Sequence, residues 1–177
     1  HGLMGCVIEW YQQYDGEFVP PQQWREMALA SVTTHDMPPT AGYLAFEHAK
    51  IRERLGLLAV PPEHFLASAK YEQKQVISML VENGYLDRAY AQDIKVYEQQ
   101  VVEALHRALL DSPSKLKAAA LVDAVGERRA QNQPGTDNEY PNWRVPLADS
   151  SGHAVYLNDL FDLQRTRSLA DVMNGRK

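Results

Sequence analysis

The sequence has a single cysteine, Cys6, among 177 residues. An intrachain disulfide is therefore excluded, and a cysteine-ligated zinc site is poorly supplied. One cysteine fits a reducing compartment, so a cytoplasmic location is expected. Long apolar runs are also lacking, and none approaches the ~18 residues that cross a bilayer. The opening His1-Gly2-Leu3-Met4-Gly5 has neither a basic region nor a long apolar stretch, so no secretory signal is expected. With no initiator methionine there, the chain is expected to be cut from something larger. Positive charge is short: 18 Lys and Arg stand against 23 Asp and Glu, a net charge of −5. Such a chain is poorly suited to a phosphate backbone, so neither nucleic acid nor membrane is expected as a partner. Six histidines are scattered, with no His-Glu-x-x-His spacing, no Gly-x-Ser-x-Gly elbow and no glycine-rich phosphate loop. No metal site and no cofactor are expected.

What is present is ordinary globular composition, with 45% hydrophobic residues. Cys6 to Tyr11 and Leu29 to Thr34 are short, β-branched or apolar runs that predict strands. Neither alternates cleanly, which points to buried parallel strands. Asp15-Gly16 marks a turn between them, and Gln22 to Met27 reads as a short helix after Pro20-Pro21. After Pro38-Pro39 the period turns helical. Leu44, His48, Ile51 and Leu55 share one face up to Gly56, a plausible C-cap. Two long helices follow, over 64–84 and 87–111, and Ser112-Pro113 is read as the start of another that ends near Gly126. The Lys115–Lys117 region and Glu127-Arg128-Arg129 read as solvated charge. Leu157, Leu160, Phe161 and Leu163 resume an apolar face, and Ser168 to Met173 form a last turn or two.

Chemistry concentrates at His35-Asp36. An apolar strand, a polar tip and an immediate proline break place that tip at the carboxyl end of a parallel strand, where ligands of such folds gather. There Asp36 could stabilise positive charge and His35 could donate to a substrate hydroxyl. The plainer alternative makes Asp36 a helix cap and His35 a satisfied, partly buried residue. Asn132 to Thr136, with Asn142-Trp143-Arg144, combines amides and a cation with a flat apolar face suited to a pyranose ring; an ordinary turn under a surface aromatic is the alternative. Trp10-Tyr11 form a third aromatic pair, for which core packing is the simpler use.

Two stretches together are more specific than either alone. Ala30-Ser31-Val32-Thr33-Thr34-His35-Asp36-Met37-Pro38-Pro39-Thr40-Ala41-Gly42 resembles the Thr-His-Asp motif of the amylomaltases, the 4-alpha-glucanotransferases or disproportionating enzymes. Asn132-Gln133-Pro134-Gly135-Thr136 through Asn142-Trp143-Arg144 resembles that family's Asn-x-Pro-Gly-Thr…Asn-Trp-Arg segment. Gly5 to Gly16 looks like the strand that precedes the Thr-His-Asp strand. The resemblance implies a (β/α)₈ barrel and retaining transfer of α-1,4-glucan chains between malto-oligosaccharides. It makes Asp36 the transition-state-stabilising carboxylate and His35 a donor-site contact. Asn132 lies in the segment that would reach the glucan, and Trp10 or Tyr11 would line a sugar subsite; Trp143 remains a sugar-contact candidate on residue type.

A complete barrel takes typically ~250 residues, and the family's nucleophile and acid/base motifs find no match here. The expected fold is α-rich α/β, the carboxyl-terminal portion of a TIM barrel from about strand 6 to strand 8, incomplete, with a large helical insertion. Residues 1–37 would carry strands 6 and 7, residues 38–126 the insertion, and residues 127–177 strand 8, at Arg128 to Asn132, with the terminal helices. The piece itself should be inactive and could self-associate through exposed barrel strands. An autonomous helical interaction or glucan-binding module is the alternative.

Overall fold

The computed structural model describes residues 2–176. Its centre is a three-stranded parallel sheet of order β1 (Gly5–Ile8), β4 (Ala28–Ser31), β5 (Leu116–Ala118). Gly5 pairs with Ala28, and Leu29 pairs with Leu116. A small antiparallel hairpin, β2 (Gln13–Tyr14) and β3 (Glu17–Phe18), lies between β1 and β4. Its two-residue turn is Asp15-Gly16, both at positive φ (51° and 82°), as a hairpin twisting with its strands requires.

Among the described residues seven helices accompany the sheet: α1 (Thr40–Leu44), α2 (Glu47–Arg54), α3 (Pro62–Glu82), α4 (Glu98–Asp111), α5 (Leu121–Val125), α6 (Leu157–Leu160) and α7 (Gln164–Met173). Of these, α1, α3 and α4 share its core. Val7, Ala28 and Ala30 from the strands meet Val76 and Leu80 of α3 and Val101, Leu105 and Leu109 of α4 in one core. Small Ala28 and Ala30 let the helices approach the sheet closely, and truncating one of the buried leucines to Ala would cost about 2–5 kcal/mol. The opposite face carries Cys6, Leu29 and Leu116 in one row across the three strands, and all three are exposed.

The parallel strands and the long helix α3 agree with the sequence reading, and several other elements correct it. The third strand is β5, not Arg128 to Asn132, where no strand forms. Ser112 ends α4, its hydroxyl donating to the Leu109 carbonyl, instead of starting a helix. Pro113 then begins an extended segment, and two bonds lay that segment beside the start of β4: Ser114 Oγ to the Arg25 carbonyl and Lys115 N to the Glu26 carbonyl. The stretch 38–126 is thus not purely helical, since it supplies a strand of the central sheet. The helix expected from residue 87 begins at Glu98, because Asp87 and Asp93 first capture the nearby amides of Ala89, Lys95 and Val96. Leu44 and His48 lie on two helices, separated at Phe46 in the left-handed conformation (φ 57°). A break of two residues, Ala45 and Phe46, preserves the apolar spacing, so periodicity does not reveal it. Residues 21–23, not 22–27, form the short 3₁₀ helix after the prolines. Of the apolar face expected over Leu157 to Leu163, Leu160 is buried and Leu163 half-buried, while Leu157 and Phe161 face outward.

Candidate active site

β4 runs out at Ser31, and Val32 and Thr33 remain buried before the chain turns at Thr34 to Met37. Thr33 Oγ1 donates to the Pro38 carbonyl at 3.0 Å and fixes that turn from below. His35 and Asp36 are lifted to the surface at the carboxyl end of the sheet, with about half of the Asp36 side chain exposed. The backbone amide of Asp36 donates to Thr34 Oγ1 at 3.3 Å. Asp36 does not cap the following helix. That task falls to Asp123, whose Oδ1 accepts from the Thr40 amide at 2.7 Å and whose Oδ2 accepts from Thr40 Oγ1 at 2.9 Å. The capping alternative for Asp36 is thereby removed.

The loop after α5 brings the second motif to the same place. Asn132 Nδ2 donates to Asp36 Oδ1 at 2.7 Å. His35 Nε2 lies 3.3 Å from Asp36 Oδ2. The Trp143 ring stands 5.3 Å from the His35 ring at 42° and is 63% exposed. Four of the five residues singled out from sequence, His35, Asp36, Asn132 and Trp143, therefore form one surface cluster. Trp10 is the exception and corrects the sequence reading. It is 1% exposed, stacked on Tyr43 at 4.2 Å, and lies in the core. Its run of β-branched and aromatic neighbours suits packing as well as sugar contact, so residue type does not separate the two uses.

The loop is held partly by members of the candidate segment itself and partly by Glu127, which the sequence reading treated as solvated charge. Asn142 Oδ1 accepts from the Gln133 amide at 2.8 Å, and Asn142 Nδ2 donates to Thr136 Oγ1 at 2.9 Å. The Trp143 amide donates to the Gln131 carbonyl at 2.8 Å, with Trp143 at φ 61°. Tyr140 Oη donates to the Ala130 carbonyl. Glu127, read from sequence as solvated, is 1% exposed. Its carboxylate accepts from the amides of Arg128, Arg129 and Ala148 and from the Arg129 guanidinium. Burial pushes its pKa up, but these donors outweigh burial and hold it below the usual value. No sequence signal distinguishes this buried carboxylate from a surface one beside two arginines.

Beside Asp36 opens a cleft of about 650 Å³ between the hairpin side of β1 and helices α2 and α3. Its inner wall is a stack of Trp10, Tyr43 and His48, the latter two 4.4 Å apart at 7°. Burial, and then the nearby Arg52 charge, lower His48 to about 4, so its ring is neutral at pH 7. Among the described residues no group of three His, Cys, Asp or Glu side chains is placed to hold a metal ion. Among the described residues no helix is long and apolar enough to cross a membrane.

A parallel sheet with a carboxylate, an amide and an exposed indole at its carboxyl end has the layout of an α/β enzyme site. The family model described as 4-alpha-glucanotransferase matches residues 1–151, and the chain belongs to that family. The chain is 45% identical over 179 aligned residues to the 4-alpha-glucanotransferase of Mycobacterium tuberculosis, covering 98% of itself and 24% of that protein. It is 26% identical over 153 residues to the Haemophilus influenzae 4-alpha-glucanotransferase, covering 82% of itself and 21% of the relative. Among solved structures, amylomaltase from Corynebacterium glutamicum superposes with a TM-score of 0.88 at 38% identity, over 96% of this chain and 25% of that one. The chain thus spans about a quarter of the length of the relatives it matches.

Proposed function

We propose that the chain is the carboxyl-terminal part of a retaining 4-alpha-glucanotransferase that moves α-1,4-glucan segments between malto-oligosaccharides. In this reading β1, β4 and β5 are barrel strands 6, 7 and 8. The exposed row Cys6, Leu29 and Leu116 then faces the barrel interior, which layers of side chains from the other strands fill. No cofactor is needed for the reaction, and the working environment is the cytoplasm, where maltodextrins are metabolised.

The observation that carries the reading is the 2.7 Å bond between Asn132 and Asp36 at the carboxyl end of the sheet. Retaining transfer passes through an oxocarbenium-like transition state between a nucleophilic carboxylate and a general acid/base, neither of which has a matching motif in this chain. A third, preorganised anion stabilises the positive charge that develops on the ring. Asp36 fits that task because it sits on a rigid strand end and its amide partner fixes the carboxylate plane. His35 supplies a ring nitrogen beside the same carboxylate for a sugar hydroxyl, and the exposed face of Trp143 offers an apolar platform to a pyranose. Carrying one of three carboxylates, the 177-residue chain alone is inactive.

The test is product analysis with the complete enzyme and maltotriose. Transfer yields glucose together with dextrins longer than the substrate. A product mixture of glucose and maltose alone, or no products, overturns the assignment.

A further inference from the structure

We propose that the cleft between the hairpin side of β1 and helices α2 and α3 is a chain-length-reading subsite, in which a malto-oligosaccharide reacting at Asp36 lays its distant glucose units against Tyr71. The inference rests on the glucanotransferase reading above and adds to it a place where long glucans are told from short ones.

Two observations carry it. First, the cleft is continuous with the candidate site, since Asp36 and Gln133 line it together with Tyr71 and Gln75 of α3. At about 650 Å³ it lies within the range of small-ligand sites and far exceeds what one side chain would fill. Second, its lining has the chemistry of sugar recognition. Tyr71 and Tyr11 present exposed rings, at 60% and 67%, and flat polar groups alternate with them. Gln75 Nε2 donates to Tyr71 Oη at 3.1 Å and orients that ring. Gln13 Nε2 donates to Glu72 Oε1 at 2.9 Å, and Tyr43 Oη donates to the other Glu72 oxygen, so one carboxylate ties the hairpin, α1 and α3 into a fixed wall.

A rigid aromatic wall with an exposed tyrosine on a helix suits an extended, hydroxyl-rich ligand better than a compact anion. Stacking on one remote tyrosine adds binding only for substrates long enough to reach it. A short substrate that ends near Asp36 does not use it.

The experiment compares maltotriose with maltoheptaose as substrate for the complete enzyme, using wild type, Tyr71→Ala and Tyr71→Phe. Alanine is a good helix former and Tyr71 is exposed on α3, so the variant keeps its fold. Tyr71→Ala is expected to lower kcat/KM for maltoheptaose about tenfold, mainly through KM, and to leave maltotriose within about twofold. Tyr71→Phe keeps the ring and retains most of the long-chain preference. Equal values for both substrates in Tyr71→Ala and wild type overturn the proposal, as does an equal loss on both. Transfer from neither substrate by wild type would overturn the underlying glucanotransferase reading itself, so the two failures are told apart by wild-type activity.

Discussion

Asn132 and Asp36 lie 96 positions apart in the chain, and the amide of one holds the carboxylate of the other at 2.7 Å. The pair joins the two motifs into one site. It also gives Asn132 a defined task as a positioning residue, because Asp36 is half exposed and its other side-chain neighbour, His35 Nε2, lies farther away at 3.3 Å. Removing a hydrogen bond to a charged group costs about 1.5–3 kcal/mol. In the complete enzyme, Asn132→Ala is expected to reduce kcat on maltotriose about 10- to 100-fold with KM nearly unchanged. A change confined to KM would contradict the positioning role.

Gly42 is packed against the segment that carries Asn132. A Cβ there would lie 2.1 Å from the Arg128 carbonyl oxygen, which is backbone and cannot swing away. Gly42→Ala is therefore expected to destabilise by about 2–3 kcal/mol and to lower Tm by roughly 6 °C. Thermal unfolding checks this, and an unchanged Tm would show that α1 and the 127–132 segment are not in contact.

Glu9 is fully buried beyond the end of β1, and neither of its carboxyl oxygens has a partner. Burial pushes its pKa well above the ordinary value of 4.5. The unfolded chain ionises this group near the ordinary value while the fold keeps it protonated. Stability is therefore undiminished below that value and falls as the pH rises above it, until the folded group ionises too. Glu9→Gln removes the penalty. Its Tm is expected to exceed that of wild type by at least about 3 °C at pH 8, with the gap closing towards pH 4. A gap independent of pH would contradict this account.

The sheet leaves strand edges at β1 and β5 unpaired among the described residues, and one face exposes Cys6, Leu29 and Leu116. Open edges and apolar faces associate. The 177-residue chain purified alone is expected to scatter light with a mass well above 20.0 kDa and to leave maltotriose unchanged. A clean monomer would contradict the association, and robust disproportionation would contradict the division of carboxylates.

The strand end carrying His35 and Asp36 was legible in the sequence because an apolar run, a polar tip and a proline break are all local features. Long α3 was legible for the same reason. β5 was not, because Leu116 to Ala118 is a strand only through its pairing with Leu29 to Ser31, 87 residues earlier, and Pro113 serves an extended segment as well as a helix start. The burial of Glu127 and the capping of Thr40 by Asp123 are likewise long-range facts. Trp10 shows the converse limit. An aromatic beside a strand end suits either a subsite or a core, and its stacking on Tyr43 decides for the core.

The most direct measurement is maltotriose disproportionation by the complete enzyme as wild type and as Asp36→Asn, with near-ultraviolet circular dichroism to verify the fold. Loss of the charge that faces the oxocarbenium-like transition state is expected to reduce turnover by at least about a thousandfold while the spectrum stays unchanged. Turnover within about tenfold of wild type in a folded Asp36→Asn enzyme would show that Asp36 is structural and would contradict the account.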